Sequence, residues 1–87
     1  MTPAAIEAAA QRIRGHVRET PLLSSPGLDA ALGRRVLVKA ECLQHTGSFK
    51  YRGAKSAITA LMAGTPPAGI IAFSSGNHAQ GVARAGA

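Results

Sequence analysis

The sequence is poor in several residue types that mark particular classes of protein. Its 87 residues include no tryptophan, one tyrosine, two phenylalanines and a single cysteine, Cys42. One cysteine excludes an internal disulfide and any metal site built from paired cysteines, which favours a reducing compartment. The alanine-rich start carries Glu7 and Arg12, so it has no clean hydrophobic signal core, and no apolar run is long enough to span a membrane. The expected location is therefore the cytoplasm.

Acidic residues are also scarce, with 4 Asp and Glu against 10 Lys and Arg and a formal net charge of +6. That balance suits a nucleic acid, an anionic surface or a phosphorylated ligand. The basic residues are scattered and few aromatics accompany them, which argues against a nucleic-acid partner and favours part of an ordinary enzyme. His16, His45 and His78 lack the spacing of metal ligands, so no metal site is predicted, and Cys42 is expected to be a small core residue.

Alternating helix and strand signals predict an α/β fold. Short apolar runs at 36–38 and 69–73 predict two buried strands, joined as a parallel sheet by right-handed crossovers. The predicted helices run from Pro3, capped by Thr2, towards Thr20; from Pro26, capped by Ser25, to Gly33; from Phe49 to Gly64; and from about His78 onward. Residues 22–23 are expected to be a connector. Ligands in such sheets bind where strands end, and the polar loops 44–50 and 74–78 follow the two predicted strands.

The first polar loop contains Thr-Gly-Ser-Phe-Lys at 46–50. Its backbone N–H groups at a helix start can bind an anion such as phosphate. Lys50 would lie at the same helix start, and its amine is the type of nucleophile that attacks an aldehyde. From this loop alone, a Schiff-base lysine and a solvated lysine both remain open. A nucleotide-binding P-loop is excluded, because five residues separate Gly47 from Gly53 and Ala54 precedes Lys55.

The second polar loop contains Ser-Ser-Gly-Asn-His at 74–78. Its hydroxyls, its amide and a glycine that permits close backbone approach suit a carboxylate ligand, although a plain turn that caps the next helix has the same composition. A serine hydrolase is not indicated, because neither the Gly-x-Ser-x-Gly elbow nor a nearby acidic partner is present.

Taken together, three segments of the chain resemble one family. Residues 39–54, which read Lys-Ala-Glu-Cys-Leu-Gln-His-Thr-Gly-Ser-Phe-Lys-Tyr-Arg-Gly-Ala, resemble the cofactor-lysine signature of fold-type II pyridoxal-phosphate enzymes, in the threonine/serine dehydratase and serine racemase branch. Residues 18–23 resemble the arginine, threonine-proline-leucine segment of that family, and residues 74–83 resemble its asparagine loop. Tyr51 follows the lysine where cysteine and threonine synthases typically have aspartate, which favours elimination over sulfur transfer.

The resemblance implies a fold like that of the tryptophan synthase beta subunit, and a role for each matching residue. Lys50 would hold pyridoxal 5'-phosphate as a Schiff base and then serve as the catalytic base. Phe49 would pack beside the cofactor ring, and Asn77 would hydrogen-bond its 3'-hydroxyl. Ser75 would be a second catalytic residue if it protonates the opposite face of the substrate, as in serine racemases. The substrate carboxylate would be received by Ser48, Ser74, Ser75, Gly76 and His78, with Thr46 nearby.

The implied activity is that of an ammonia-lyase that converts L-threonine or L-serine to a 2-keto acid and ammonia. Serine racemase activity, or a non-catalytic remnant or phosphate-binding module, is the alternative. Residues 1–87 would be the amino-terminal fragment of a homo-oligomeric enzyme, inactive alone, because the glycine-rich phosphate loop and the residue that contacts the pyridine nitrogen in this family have no counterpart here.

Overall fold

The computed structural model describes all 87 residues, in four α-helices, two short strands and two single turns of 3-10 helix. The turns lie between the second strand and the third helix, at Glu41–Leu43 and His45–Gly47. In chain order the helices and strands are α1 (Pro3–Ile13), β1 (Leu22–Ser24), α2 (Pro26–Leu32), β2 (Leu37–Lys39), α3 (Lys50–Met62) and α4 (Asn77–Gly86). No helix is both long enough and apolar enough to cross a membrane.

Helix α1 begins where the sequence predicts and ends earlier than predicted. The Thr2 hydroxyl accepts a hydrogen bond from the Ala5 N–H at 3.1 Å, and proline occupies the first helical position. The helix stops at Ile13, well before Thr20, because Arg14 (ψ 132°) and Gly15 (left-handed φ of 81°) form a turn that leaves the helical path, closed by the His16 N–H donating to the Ile13 carbonyl.

The predicted N-cap and the predicted end of helix α2 are both confirmed. The Ser25 hydroxyl accepts a hydrogen bond from the Leu28 N–H at 3.3 Å, and Gly33 ends the helix with a left-handed φ of 67°. The Val36 N–H then donates to an Asp29 carboxylate oxygen at 2.8 Å, which ties the entry of β2 to the helix.

The sheet differs from the predicted one in three respects. Strand β2 confirms a strand close to 36–38, but Leu37 and Val38 are about half exposed, so the predicted burial is wrong. The predicted connector at 22–23 is strand β1 instead. The two strands pair antiparallel, with Leu22 opposite Lys39, because the short connection through α2 returns the chain beside itself.

The second predicted strand, at 69–73, is absent. Ile71 and Phe73 are 98% and 97% exposed, and the backbone there pairs with no other segment. An apolar run becomes a strand only when a neighbouring strand satisfies its backbone groups, and the 87 residues place none beside it. The parallel sheet expected from the sequence is therefore not formed by these residues.

The core is small and lies between α3 and α4. Tyr51, Ala54 and Ile58 on α3 pack with Ala85 on α4, which confirms the predicted start and part of the predicted apolar face of the central helix. Cys42 is exposed, so its expected place in the core is wrong. Only 9 of the 87 residues are buried, so apolar burial alone holds little of this chain in place.

Polar side chains anchor the segment before β1 to the start of α3. Gln44, which is only 3% exposed, accepts from the Arg18 N–H and donates to the Arg18 carbonyl, each at 2.9 Å. Arg52 donates from Nε and Nη2 to the two carboxylate oxygens of Glu41 at 2.5 and 3.0 Å, and the Thr20 hydroxyl donates to the same carboxylate. We call Glu41, Gln44 and Arg52 the clamp. A bidentate, charge-assisted pair of this kind is among the stronger polar contacts in proteins.

The clamp makes the free energy of unfolding depend on pH. The Arg52 guanidinium lowers the pKa of Glu41 from 4.5 to about 2, against the opposing effect of burial and with help from the Thr20 hydroxyl. Because the folded pKa is depressed, the contribution of Glu41 is complete above about pH 4.5 and is lost as the pH falls towards 2.

We therefore expect Glu41→Gln to lower the free energy of unfolding of the complete protein by about 1 to 2 kcal/mol at pH 6, and by much less near pH 2.5. Urea unfolding at both pH values measures the difference. Glu7→Gln is the control, because the Glu7 side chain is exposed and makes no hydrogen bond within the chain. An equal loss for Glu41→Gln at both pH values would contradict the role of the ion pair.

Candidate functional site

Lys50 and Phe49 lie side by side at the start of α3. Lys50 is the first residue of the helix and is exposed, and its backbone N–H donates to the Ser48 hydroxyl at 3.4 Å. Its ammonium nitrogen, Nζ, lies 5.3 Å from the centroid of the Phe49 ring, which is itself 61% exposed. The helix start therefore presents an accessible amine next to an accessible aromatic face.

Both side chains line an open groove of about 350 Å³ between α3 and α4. The wall is largely apolar, and Lys50 and His78 supply its polar side chains. The residues opposite Phe49 and Lys50 include Ile71, Ala72, His78 and Val82. A groove of this size suits a small flat molecule, and the amine can bond to a carbonyl on it.

A larger cavity, of about 720 Å³, lies between the carboxyl-terminal ends of α3 and α4 and residues 67–70. It contains none of the side chains predicted to carry chemistry. Because chemistry depends on reactive groups rather than on volume, we place the candidate site at the smaller groove.

The loop at 74–78 both caps the next helix and leaves polar side chains free for a ligand, which are the two roles that its sequence left open. The Ser74 hydroxyl oxygen accepts hydrogen bonds from the N–H groups of Gly76 and Ala79 at 3.2 and 2.8 Å, so Ser74 caps the start of α4. The side chains of Ser75, Asn77 and His78 are exposed and make no hydrogen bond within the chain, so they are free to contact a ligand.

The two polar loops meet because α4 packs directly on the first turn of α3. Gly81 is buried, and a Cβ atom built on it would lie 3.3 Å from the carbonyl carbon and oxygen of Lys50 and from the nitrogen of Tyr51. This contact brings His78 into the same groove as Lys50. Sequence reasoning did not single out Gly81, although a glycine inside a helical pattern is a signal for close packing.

The turn before Ser48 has an unusual backbone. Thr46 has a left-handed φ of 62°, which is rare for a β-branched residue and costs roughly 1 to 3 kcal/mol. Its hydroxyl is buried and has no hydrogen-bond partner. An unpaired buried hydroxyl is itself costly, so this atom is available to a ligand or a water molecule. The neighbouring Gly47 also has a positive φ, of 77°.

His45 is a packing residue rather than a ligand of the groove. Its ring meets the Tyr51 ring edge-on, with centroids 5.1 Å apart. Burial lowers the pKa of His45, and the positive charges of Arg18 and Arg84 lower it further. The ring is therefore neutral at neutral pH. No cluster of three or more His, Cys, Asp or Glu side chains is arranged to hold a metal ion.

The capping geometry predicts different effects for adjacent serines. Ser74→Ala leaves two backbone N–H groups without an acceptor and should lower the free energy of unfolding by about 1 kcal/mol. Ser75→Ala removes no hydrogen bond and should change it by less than about 0.5 kcal/mol. Urea unfolding of both variants of the complete protein measures the contrast, and equal losses would show that Ser74 is not the cap.

Comparison with known proteins identifies the family to which the chain is similar. A family model described as pyridoxal-phosphate dependent enzyme matches residues 13–87. The chain is 51% identical over 77 residues to an L-threo-3-hydroxyaspartate ammonia-lyase of a Pseudomonas species, covering 88% of this chain and 24% of the relative. It is 45% identical over 80 residues to a serine racemase of Oryza sativa subsp. indica, and the match covers 92% of this chain and 24% of the relative.

Among solved structures, a threonine deaminase from T.th. superposes with a TM-score of 0.85 at 52% identity. The match covers 99% of this chain and 30% of that one. The fold class predicted from the sequence is thereby confirmed. The chain spans about a quarter of the length of the curated relatives it matches.

Proposed function

Since this chain belongs to the family of pyridoxal-phosphate dependent enzymes, we propose that the complete protein is an ammonia-lyase acting on a β-hydroxy amino acid such as L-threonine or L-serine. The observation that carries the proposal is the Lys50 amine at the rim of an apolar groove that is also lined by His78, the last residue of the loop at 74–78. Relatives described as an ammonia-lyase and a threonine deaminase support the reaction type.

The residues of the groove fit the ring and the aldehyde of pyridoxal phosphate. Its pyridine ring needs apolar faces, which Phe49 and the apolar wall supply, and its aldehyde needs an accessible amine, which Lys50 supplies. The buried, unpaired Thr46 hydroxyl adds a polar contact close to the lysine turn. When bound, the cofactor supplies an electron acceptor for the reacting carbon.

The residues of the proposed site would then have distinct roles. Lys50 Nζ would hold the cofactor through its aldehyde, and as a free amine it would take the α-proton of the amino acid. The exposed Asn77 amide would donate a hydrogen bond to the ring hydroxyl of the cofactor. Ser75 and Gly76, together with the first N–H groups of α4, receive the substrate carboxylate, because the positive end of a helix favours an anion. The α-proton and the β-hydroxyl leave as water, and one water then hydrolyses the resulting enamine, so that the amino acid is converted to a 2-keto acid and ammonia with no net change in water.

Ser48, Ser74 and His78 complete the proposed carboxylate region. Ser48 accepts a hydrogen bond from the Lys50 N–H, and Ser74 holds the start of α4, so both order the backbone around the substrate. His78 lines the groove opposite Lys50.

Racemisation is the second candidate activity, because the Ser75 hydroxyl is exposed and unpaired and can hold a proton for the face opposite Lys50. A relative described as a serine racemase supports it. We also propose that residues 1–87 alone do not turn over substrate, since the groove is open and so little of the chain is buried.

The proposal predicts that Lys50→Ala in the complete protein abolishes the visible absorbance of bound pyridoxal phosphate and lowers deamination of L-threonine and L-serine by about 10³-fold. Absorbance spectra and 2-keto acid release measure the two effects. Lys55→Ala is the matched control, because Lys55 lies on the same helix and its amine contacts the Ala85 carbonyl, away from the groove. A Lys50→Ala protein that stays coloured and active would refute the assignment.

Ser75→Ala separates the two activities. If the Ser75 hydroxyl supplies the proton on the opposite face, formation of D-serine from L-serine should fall by roughly 10²-fold while keto-acid release falls far less. Chiral separation of serine, run alongside the keto-acid assay, gives both rates. An equal fall in both would assign Ser75 to substrate binding alone.

A further inference from the structure

Gly81 is exceptional among the glycines of this chain. Of the 10 glycines, it is the only one at which an added Cβ atom would come closer than 3.8 Å to another part of the molecule. Its contacts, at 3.3 Å, are the Lys50 carbonyl carbon and oxygen and the Tyr51 nitrogen. Gly86, five positions later on the same helix, would meet only the Ile58 Cδ1 atom at 3.9 Å.

The atoms that face Gly81 cannot move aside. They are backbone atoms of the first turn of α3, so no side-chain rotation relieves a clash, and any added carbon must separate the two helices by a few tenths of an ångström. Lys50 itself carries two of those atoms. The separation would therefore arise at the residue that presents the reactive amine.

A displacement at Gly81 would also reach the loop at 74–78. His78 and Asn77 lie about one turn before Gly81 on the same helix, and Ser74 bonds the loop to the Ala79 N–H. The Ser74 hydroxyl therefore ties the loop to the helix, and a shift of the helix would carry the loop with it.

We infer that Gly81 is a positioning residue that fixes the separation between the Lys50 amine and the carboxylate-binding loop at 74–78. The inference rests on the proposed function, because it assigns those two groups to one substrate. Catalysis depends steeply on such distances, and a misplacement of 1 Å can cost about 10²-fold in rate. The expected cost for a single added methyl is roughly 10-fold in kcat/KM.

The test compares Gly81→Ala with Gly86→Ala in the complete protein loaded with pyridoxal phosphate. Both variants add one methyl group to the same helix, and because Gly86 is the last residue of α4 the gain in helix propensity is larger for Gly81→Ala, so that propensity alone would favour Gly81→Ala. The readouts are the affinity for pyridoxal phosphate, the melting temperature, kcat/KM for L-threonine, and the dissociation constant of L-alanine measured by the change in visible absorbance. L-alanine has an amino group and a carboxylate but no β-hydroxyl.

We expect the affinity of Gly81→Ala for pyridoxal phosphate to stay within about threefold of that of the parent protein. The variant should bind L-alanine about 10-fold more weakly, and kcat/KM for L-threonine should fall by a similar factor. Gly86→Ala should match the parent protein in every readout. A normal L-alanine affinity in Gly81→Ala would overturn the inference. So would an L-alanine loss matched by equal losses of cofactor affinity and melting temperature, since that pattern marks a purely structural residue.

The parent protein separates this inference from the proposed function. If it shows no visible band with pyridoxal phosphate, the proposed function fails and the inference about Gly81 fails with it. If it shows the band and responds to L-alanine, the two variants decide the role of Gly81 alone.

Discussion

Arg52 donates two hydrogen bonds to Glu41, and through that ion pair the segment before β1 and the turn after β2 are held beside the start of α3. The Gln44 side-chain amide adds two hydrogen bonds, accepting one from the Arg18 N–H and donating one to the Arg18 carbonyl. It thereby satisfies the same backbone groups that a neighbouring strand would. The core of the chain is too small to fix these segments by apolar packing. Charged and amide groups therefore set the position of the helix that carries Lys50.

The candidate site combines firmly held backbone with free side chains. The Ser74 hydroxyl oxygen is occupied in capping the start of α4, and Gly81 brings that helix against the Lys50 turn. The side chains of Ser75 and Asn77 remain exposed and unpaired. Thr46 adds a strained backbone turn and a buried hydroxyl without a hydrogen-bond partner. Backbone strain of this kind persists only where the surrounding structure imposes it, and it clusters at functional sites.

Local sequence signals predicted the helix caps correctly, although they placed the end of α1 too late. Thr2 and Ser25 cap the helices that follow them, and Gly33 ends α2, because each of these effects depends on residues within one helical turn. The predicted strand at 69–73 failed for the opposite reason. A strand depends on a partner, and its apolar composition carries no information about whether one lies beside it.

The sequence by itself determined the helix starts, the family and the two loops that carry the candidate chemistry, because these follow from residue type and spacing along the chain. Only the tertiary structure decided that β1 and β2 pair antiparallel, that Glu41 meets Arg52, and that Gly81 touches Lys50. Each of these contacts joins residues that are distant in sequence. Their formation depends on which segments fold next to each other, and that is settled by packing and electrostatics across the whole chain rather than by any one motif.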